Sequence, residues 1–268
     1  MLLADAHTHL DQFADADVPG LLQRAQDAGV GVVLVAGVTE ESSVRAVALA
    51  EAHEGVYAGV GIHPEEVKGP LDDEAYRRMK TLAQSSPKVV CISEVGLDFA
   101  PGMPPLALQE QALRREVRLA RDLGLPVIFH SREYPGRLED HQAILRLLKE
   151  ERVEEVGGAW HYFQWSKEMA LACFDLGLCV SLAKPLLRLP DLQAVVRELP
   201  LDRIVLETDS YPQLFKRNRA RWTEPKDVRM VAERIAQLKG VSLEDVAAAT
   251  TNNLRRVLKG RVQSPAAL

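Results

Sequence analysis

The first residues of the chain that could perform chemistry are two histidines in the stretch Asp5-Ala6-His7-Thr8-His9-Leu10. Alternate residues of a β-strand point to the same side, so Asp5, His7 and His9 would line one face. Two imidazoles at this spacing can bind one cation. Such a short pattern is equally typical of histidines satisfied in the core or in a turn. The metal interpretation therefore depends on ligand-type residues after later strands.

Ligand-type residues do follow later strands. Apolar, β-branched runs alternate with amphipathic stretches along the chain and predict eight strand–helix units. The predicted strands cover residues 3–7, 32–36, 56–61, 88–93, 126–129, 155–160, 178–182 and 203–208. Six of these strands end at or just before a histidine or carboxylate: His7, His9, His63, Glu94, His130, His161 and Asp209. Five of the seven histidines in the chain belong to this set.

Eight such units in 268 residues predict an α/β fold, a single-domain (β/α)8 TIM barrel. The alternation also permits an open, doubly wound sheet. In a barrel the carboxyl ends of strands 1, 4, 5, 6 and 8 converge on one mouth, whereas in an open sheet they could not reach one ion. We therefore predict a barrel domain over residues 1–260 and a C-terminal tail over residues 261–268.

Composition limits the classes of function. The chain is 47% hydrophobic and 26% charged, with a formal net charge of −5, so any nucleic-acid binding must come from a local site. Three cysteines without metal or disulfide spacing (Cys91, Cys173 and Cys179) indicate a reducing compartment. The sequence shows no signal peptide and no apolar run of membrane-spanning length, so we expect a cytoplasmic protein.

Imidazoles mixed with carboxylates suit divalent ions such as Zn²⁺ or Mn²⁺. Six ligand-type side chains exceed what one four-coordinate catalytic ion uses, and two ions bridged by one carboxylate account for the surplus. Glu94, from the middle of the barrel order, is the candidate bridge. We thus expect two divalent ions, zinc, magnesium or manganese, that activate a water and clamp the attacking and leaving oxygens.

Segments along nearly the whole chain resemble the TatD family of metal-dependent deoxyribonucleases, which are amidohydrolase-like (β/α)8 barrels. The resemblance is carried by residues 5–11 (DAHTHLD), 61–64 (GIHP), 94–98 (EVGLD), 119–132, 206–209 (LETD), 216–218 and 250–256. It implies that His7 and His9 hold one metal together with Glu94 and Asp209. It also implies that Glu94 bridges to a second metal, which His130 and His161 hold.

The resemblance further implies roles in catalysis. Asp209 would orient or deprotonate the attacking water. His63 would contact the scissile phosphate or its leaving oxygen, and Arg132 would face a phosphate. For Arg132 a salt bridge to a neighbouring loop is the alternative. Asp98 could simply cap the following helix and is left outside the catalytic set. Glu207 and Asp5 are each candidates for a hydrogen bond to a ligand histidine.

Four basic residues form a cluster beside Trp222: Lys216, Arg217, Arg219 and Arg221. They could follow a nucleic-acid backbone, with Arg217 as a substrate contact and Trp222, Tyr211 or Phe215 as a stacking face. The alternative is a solvated loop that pairs with nearby acids. Three departures from the TatD pattern, at 134–136, 162–163 and 210–213, also lie in predicted mouth loops, where they bear on substrate choice.

The predicted function is a metal-dependent hydrolase, an exonuclease-like deoxyribonuclease. A recessed mouth admits a strand more easily than a duplex, so single-stranded or frayed DNA is the expected substrate. Two alternatives stay open: hydrolysis of a small ester or amide on the same barrel, and a nucleic-acid-binding module that keeps metal without turnover. The complete ligand set, with Asp209 as the base, argues against the module. The sequence indicates no oligomeric state.

Overall fold

The computed structural model describes residues 2–134, 136–137 and 139–263. Eight parallel strands follow one another around a single sheet in chain order: β1 Leu3–Thr8, β2 Val30–Ala36, β3 Val56–Val60, β4 Val89–Asp98, β5 Val127–Arg132, β6 Gly158–Trp160, β7 Leu178–Leu182 and β8 Ile204–Leu206. Backbone contacts between β1 and the residues after β8 bring the two edges together. The barrel prediction is confirmed, and the open sheet is excluded.

Helices connect the strands and cover the outside of the barrel. In the part of the chain that the structure describes they are α1 Val18–Asp27, α2 Glu40–Ala52, α3 Asp73–Gln84, α4 Leu106–Leu123, α5 Glu139–Glu150, α6 Lys167–Asp175, α7 Pro190–Glu198, α8 Val228–Lys239 and α9 Leu243–Val257. Their boundaries follow local signals. Thr39 and Ser42 form a capping box at the start of α2, and α4 ends at Gly124, whose φ of 64° is left-handed.

One apolar cluster of the described residues receives side chains from every strand and, among the helices, only from the end of α9, which identifies it as the barrel interior. Its members include Ala4, Leu34, Val90, Ile128, Ala159, Cys179 and Val205. Leu254 and Leu258, from the end of α9, join this cluster, and so does Val262. The Gln263 amide donates to the Tyr57 hydroxyl at 2.9 Å. Residues 261–263, expected in the tail, therefore pack near the strand N-termini. Residues 264–268 lie outside the described residues.

Strand β4 is longer than predicted and carries two acidic residues to the mouth. This strand was predicted to end at Ser93, but it continues to Asp98 and pairs Gly96 with His130 and Asp98 with Arg132. Gly96 makes this possible: its φ is 155°, and a Cβ there would lie 2.0 Å from the His130 carbonyl oxygen. Because glycine lacks that atom, β4 and β5 stay paired past Glu94.

The seam between β1 and β8 is closed partly by a side chain. Strand β8 was predicted to reach Thr208, but it ends at Leu206. The Thr208 amide instead donates to Asp5 Oδ1 at 2.9 Å, and the Thr208 hydroxyl donates to Oδ2 at 2.5 Å. Further along, the Asp209 amide donates to the His7 carbonyl and the His9 amide to the Ser210 carbonyl. The first and last strands thus meet beside the predicted site.

Candidate metal centre

Glu94 stands at the centre of the residues predicted to bind metal. Its carboxylate is buried, and its two oxygens face different histidines. Oε2 lies 3.2 Å from His7 Nε2 and 3.5 Å from His9 Nε2. Oε1 lies 3.1 Å from His130 Nδ1 and 3.5 Å from His161 Nε2. The two oxygens of one carboxylate therefore face different imidazoles, which is the arrangement expected of a bridge between two cations. The rings of His7 and His161 are themselves stacked, with centroids 3.7 Å apart.

Asp209 completes the His9 side of the cluster. Its Oδ1 lies 3.3 Å from His9 Nε2. The residue has a φ of 52°, in the left-handed region, and its amide is bonded to the His7 carbonyl across the seam. Burial alone would raise the pKa of Asp209, but the hydrogen bond from His9 and the charge of His161 outweigh it and lower the pKa to about 2. Asp209 is therefore ionised at neutral pH.

Three of the histidines are oriented by a partner on the nitrogen that faces away from Glu94. His9 Nδ1 lies 3.2 Å from the Ala36 carbonyl oxygen, His161 Nδ1 lies 2.9 Å from Glu207 Oε1, and His130 Nε2 lies 3.3 Å from Asp98 Oδ2. The Ala36 carbonyl and the Asp98 carboxylate form hydrogen bonds with His9 and His130, whereas Glu207 makes an ion-pair contact with His161 Nδ1. A proton on each of these nitrogens leaves the lone pair of the opposite nitrogen for a cation. His7 Nε2 faces Glu94, while its buried Nδ1 has no hydrogen-bond partner among the described residues.

His63 differs from the other four histidines of the cluster. Its Nδ1 accepts the Glu65 amide at 3.2 Å, so in the neutral ring the proton must be on Nε2. That nitrogen points at Glu94 Oε1 from 3.5 Å. Burial lowers the pKa of His63 to about 4, so the ring is neutral at neutral pH. His63 thus presents an N–H donor to the cluster rather than a lone pair.

The predicted substrate contacts are placed less centrally. Arg132 is half exposed at the end of β5, where its Nε donates to Asp98 Oδ1 at 3.0 Å. This is the salt bridge considered as the alternative role for Arg132. Arg217 is exposed in the loop between β8 and α8. In the same loop Arg219 pairs with Asp17 and lies over the Trp222 ring, so part of the basic cluster is held by local contacts.

Three buried carboxylates lie next to the cluster: Glu207, Asp5 and Asp98. Glu207, fully buried, contacts His161 Nδ1 and accepts the Tyr162 amide at 2.7 Å, as the sequence suggested. Asp5 accepts from the Thr208 amide and hydroxyl and, at 3.4 Å, from the backbone amide of His7, so its bond to a ligand histidine is to the backbone and not to the ring. Asp98 contacts His130 and Arg132, although it was left outside the predicted catalytic set. The sequence contained a signal for the contact between Asp98 and the cluster. Glu94, Gly96 and Asp98 are alternate residues, so along one strand both acids lie on the same face.

Comparison with known proteins agrees with this architecture. The model of the TatD related DNase family matches residues 4–259. The chain belongs to the TatD family. It is 33% identical over 266 residues to the uncharacterized metal-dependent hydrolase YabD of Bacillus subtilis, covering 96% of this chain and 99% of YabD. The family resemblance is thereby confirmed, and as a TatD member the protein is a metal-dependent hydrolase.

Two further TatD proteins are similar over nearly their whole length. The 3'-5' ssDNA/RNA exonuclease TatD of Cronobacter turicensis is 32% identical over 251 residues, which cover 91% of this chain and 92% of that protein. The crystal structure of the TatD homologue YjjV from Escherichia coli K12 superposes with a TM-score of 0.84 at 28% identity, and the match covers 95% of this chain and 97% of YjjV. Both matches span nearly the whole barrel on which the candidate metal centre is built.

The protonation of this TatD centre makes metal binding depend on pH. Burial lowers the pKa of His9, but the hydrogen bond and charge of Asp209 outweigh it and raise the pKa to about 9. Burial likewise opposes the charges of Glu207 and Glu94 at His161, which raise the pKa to about 10. Both imidazole rings are therefore protonated on both nitrogens at neutral pH in the metal-free protein. A cation that binds either ring must displace one of its two protons.

We therefore expect the apparent affinity for Mn²⁺ to rise between pH 6 and 9. The increase should be roughly tenfold per pH unit for each proton released, because fewer protons remain to be displaced as the pH approaches these pKa values. Isothermal titration in two buffers of different protonation enthalpy measures both the affinity and the number of protons. An affinity that stays constant across this range, without proton release, would contradict the assignment of His9 and His161 as ligands.

Proposed function

We propose that this TatD protein is a deoxyribonuclease that hydrolyses phosphodiester bonds, with single-stranded or frayed DNA ends as its substrate. The observation that carries the proposal is the Glu94 carboxylate, which faces one pair of histidines with each oxygen while the His63 N–H donor lies beside it. The relative from Cronobacter turicensis, named a 3'-5' ssDNA/RNA exonuclease, supports this substrate class.

The donor set fits two divalent cations. Ligand atoms of the described residues lie within 4.8 Å of one another in three groups: His7, His9 and Glu94; His63, Glu94 and His130; and His7, His161 and Asp209. Two of these groups share the Glu94 carboxylate, and Asp209 Oδ1 also lies 3.3 Å from His9 Nε2. Nitrogen and carboxylate ligands suit Zn²⁺, Mn²⁺ or, with more oxygen, Mg²⁺. Such ions, when bound, acidify water and neutralise charge that develops on phosphate oxygens.

Three side chains of the protein would then act directly on the attacking water and on the phosphate. Asp209, ionised at neutral pH, orients the attacking water and accepts its proton. His63 Nε2–H donates a hydrogen bond to the leaving oxygen or to a phosphate oxygen, because its Nδ1 is already occupied by the Glu65 amide. Arg132, fixed through Nε by Asp98, offers its remaining N–H groups to a phosphate. Burial of Glu94, His7 and His161 keeps bulk water from competing with these contacts.

The loop between β8 and α8 offers a second contact to a nucleic-acid strand. Leu214 and Phe215 are 81% and 73% exposed, and the basic cluster follows them directly.

Replacing Arg217 and Arg219 with alanine is expected to weaken binding of single-stranded DNA. The slope of the logarithm of the binding constant against the logarithm of the salt concentration should decrease in magnitude by roughly 0.7 for each phosphate that the variant no longer neutralises. Fluorescence anisotropy over a salt series measures both effects. Arg146→Ala, at an exposed arginine of α5, is the matched control. An unchanged salt slope would remove this loop from the binding surface.

The nuclease activity itself is tested with end-labelled DNA. Single- and double-stranded oligonucleotides, labelled at either end, are digested with and without Mn²⁺, Mg²⁺ or Zn²⁺. A metal-dependent ladder that shortens from one end supports the proposal. Turnover of chromogenic carboxylic esters or amides, with none of phosphodiesters, would favour a small-molecule hydrolase. Tight DNA binding without any product would indicate a binding module.

The cytoplasm is the location we propose for this activity. All three cysteines, Cys91, Cys173 and Cys179, are buried free thiols, which agrees with a reducing compartment. Within residues 2–134, 136–137 and 139–263, the structure contains no helix with the length and apolar character needed to cross a bilayer.

A further inference from the structure

Asp98 occupies the end of β4 behind the candidate metal centre. It is 2% exposed, and its backbone is held from both directions by Gln109 of α4. The Asp98 amide donates to Gln109 Oε1 at 2.8 Å, and Gln109 Nε2 donates to the Asp98 carbonyl at 3.0 Å. This pair of hydrogen bonds fixes the backbone of the last residue of the strand, from which the carboxylate extends.

The two oxygens of Asp98 serve different partners. Oδ2 lies 3.3 Å from His130 Nε2. Oδ1 accepts Arg132 Nε at 3.0 Å and the Ala100 amide at 2.9 Å. The Nε–H of Arg132 and the amide N–H of Ala100 are both donors, so Oδ1 must act as the acceptor. The remaining oxygen then accepts from His130 Nε2, which leaves the lone pair on His130 Nδ1, 3.1 Å from Glu94 Oε1.

We propose that Asp98 is a positioning residue that couples a metal ligand to a phosphate contact. Through Oδ2 it holds His130 in the tautomer that presents Nδ1 to a cation, and through Oδ1 it holds Arg132 over the same mouth. This inference rests on the proposed function for the identity of the anion, a phosphate group. One carboxylate thereby sets both the affinity for a cation at His130 and the position of the guanidinium.

Asp98→Asn would break this coupling although it preserves the shape of the side chain. If the amide oxygen replaces Oδ1, it can accept from Arg132 and Ala100, but the amide NH₂ then faces His130 Nε2. That contact moves the imidazole proton to Nδ1, the nitrogen that a cation needs. If the amide rotates, its NH₂ instead meets the two donors Arg132 and Ala100. Neither orientation satisfies all three partners.

Metal titration tests the His130 half without reference to catalysis. Calorimetric titration of the metal-free protein with Zn²⁺ is expected to show, in Asp98→Asn, one binding step weakened by roughly 10–100-fold and the other preserved. The matched control is Asp122→Asn, at a half-exposed carboxylate of α4 that accepts from Tyr76 and Lys80. Wild-type affinity at every step in Asp98→Asn would overturn the proposal.

The unsubstituted protein provides a measurement that does not depend on the folding of a variant. Long-range ¹H–¹⁵N correlation spectra of the Zn²⁺-loaded protein show which imidazole nitrogens carry protons. The proposal requires a proton on His130 Nε2 and none on Nδ1. A proton on Nδ1, or a metal-bound Nε2, would overturn it.

The Arg132 half is tested with inorganic phosphate and a chromogenic phosphodiester. Arg132→Gln is expected to weaken phosphate binding and to raise KM by about tenfold while Zn²⁺ uptake stays at the wild-type level. Asp98→Asn should show both the raised KM and the weakened metal step. Equal phosphate binding in Arg132→Gln and wild type would overturn the coupling. Absence of phosphodiester turnover in wild type would refute the proposed function, while the zinc and NMR measurements would still decide the role of Asp98 toward His130.

Discussion

Glu94→Gln is expected to remove metal-dependent turnover almost completely, by at least roughly 10³-fold, since a catalytic cation stabilises a transition state by several kcal/mol. The wild-type carboxylate offers one oxygen to His7 and His9 and the other to His130 and His161. Glutamine can offer an oxygen to one pair only, and its NH₂ group faces the other. We expect the metal content, measured by elemental analysis after dialysis, to fall from the proposed two ions per chain to one or none.

The matched control for this substitution is Glu116→Gln. Glu116 is another buried glutamate, and burial raises its pKa well above the usual range. Its Oε1 accepts the Ile62 amide at 2.7 Å, which the oxygen of glutamine can also do. Glu116→Gln should therefore keep its metal content and activity. Two ions bound to Glu94→Gln, with turnover near the wild-type rate, would refute the bridging role.

Asp209→Asn is expected to lower kcat by roughly 10²–10⁴-fold, because it removes the acceptor for the proton of the attacking water. The substitution keeps the shape of the side chain and its backbone bond to His7 across the seam. The barrel should therefore remain folded. It also removes the charge beside His9, so binding of the cation on that side weakens, whereas the cation held by His130 and His161 stays bound.

Single-turnover digestion at saturating metal separates these two effects of Asp209→Asn. At saturation the loss of affinity is compensated, and the remaining defect measures the role in proton transfer. Asp191→Asn, in the exposed first turn of α7, is the control for the chemical change. A rate within twofold of wild type at saturating metal would refute the assignment of Asp209 as the base.

The sequence predicts the barrel and the members of the central cluster, because both depend on simple periodicities. Alternating β-branched and amphipathic runs define the order of strands. His130 lies near the C-terminal end of β5, and His161 and Asp209 follow the ends of β6 and β8. Parallel strands of a barrel converge, so these positions must meet. The end of β4 was harder to predict, since Gly96 resembles a loop residue until its close contact with the His130 carbonyl is known.

Details that depend on tertiary contacts could not be obtained in this way. Whether His63 presents a lone pair or a proton depends on the turn that places the Glu65 amide against its Nδ1. The partner of Arg132 depends on how far β4 runs beside β5. Asp5 was expected to bond a ligand histidine, and its carboxylate accepts the His7 backbone amide together with the amide and hydroxyl of Thr208, between β1 and β8. Each outcome is determined by backbone groups whose positions only the folded chain defines.

The seam between the first and last strands also sets when the protein can become active. His7 and His9 leave the ribosome at the start of synthesis, whereas Asp209 and the α9 residues that fill the barrel interior emerge near its end. A growing or prematurely terminated chain that lacks residue 209 therefore has an incomplete centre, whatever cations surround it. With Asp209 in the role proposed above, hydrolytic activity begins only after residue 209 has been synthesised and the seam has closed.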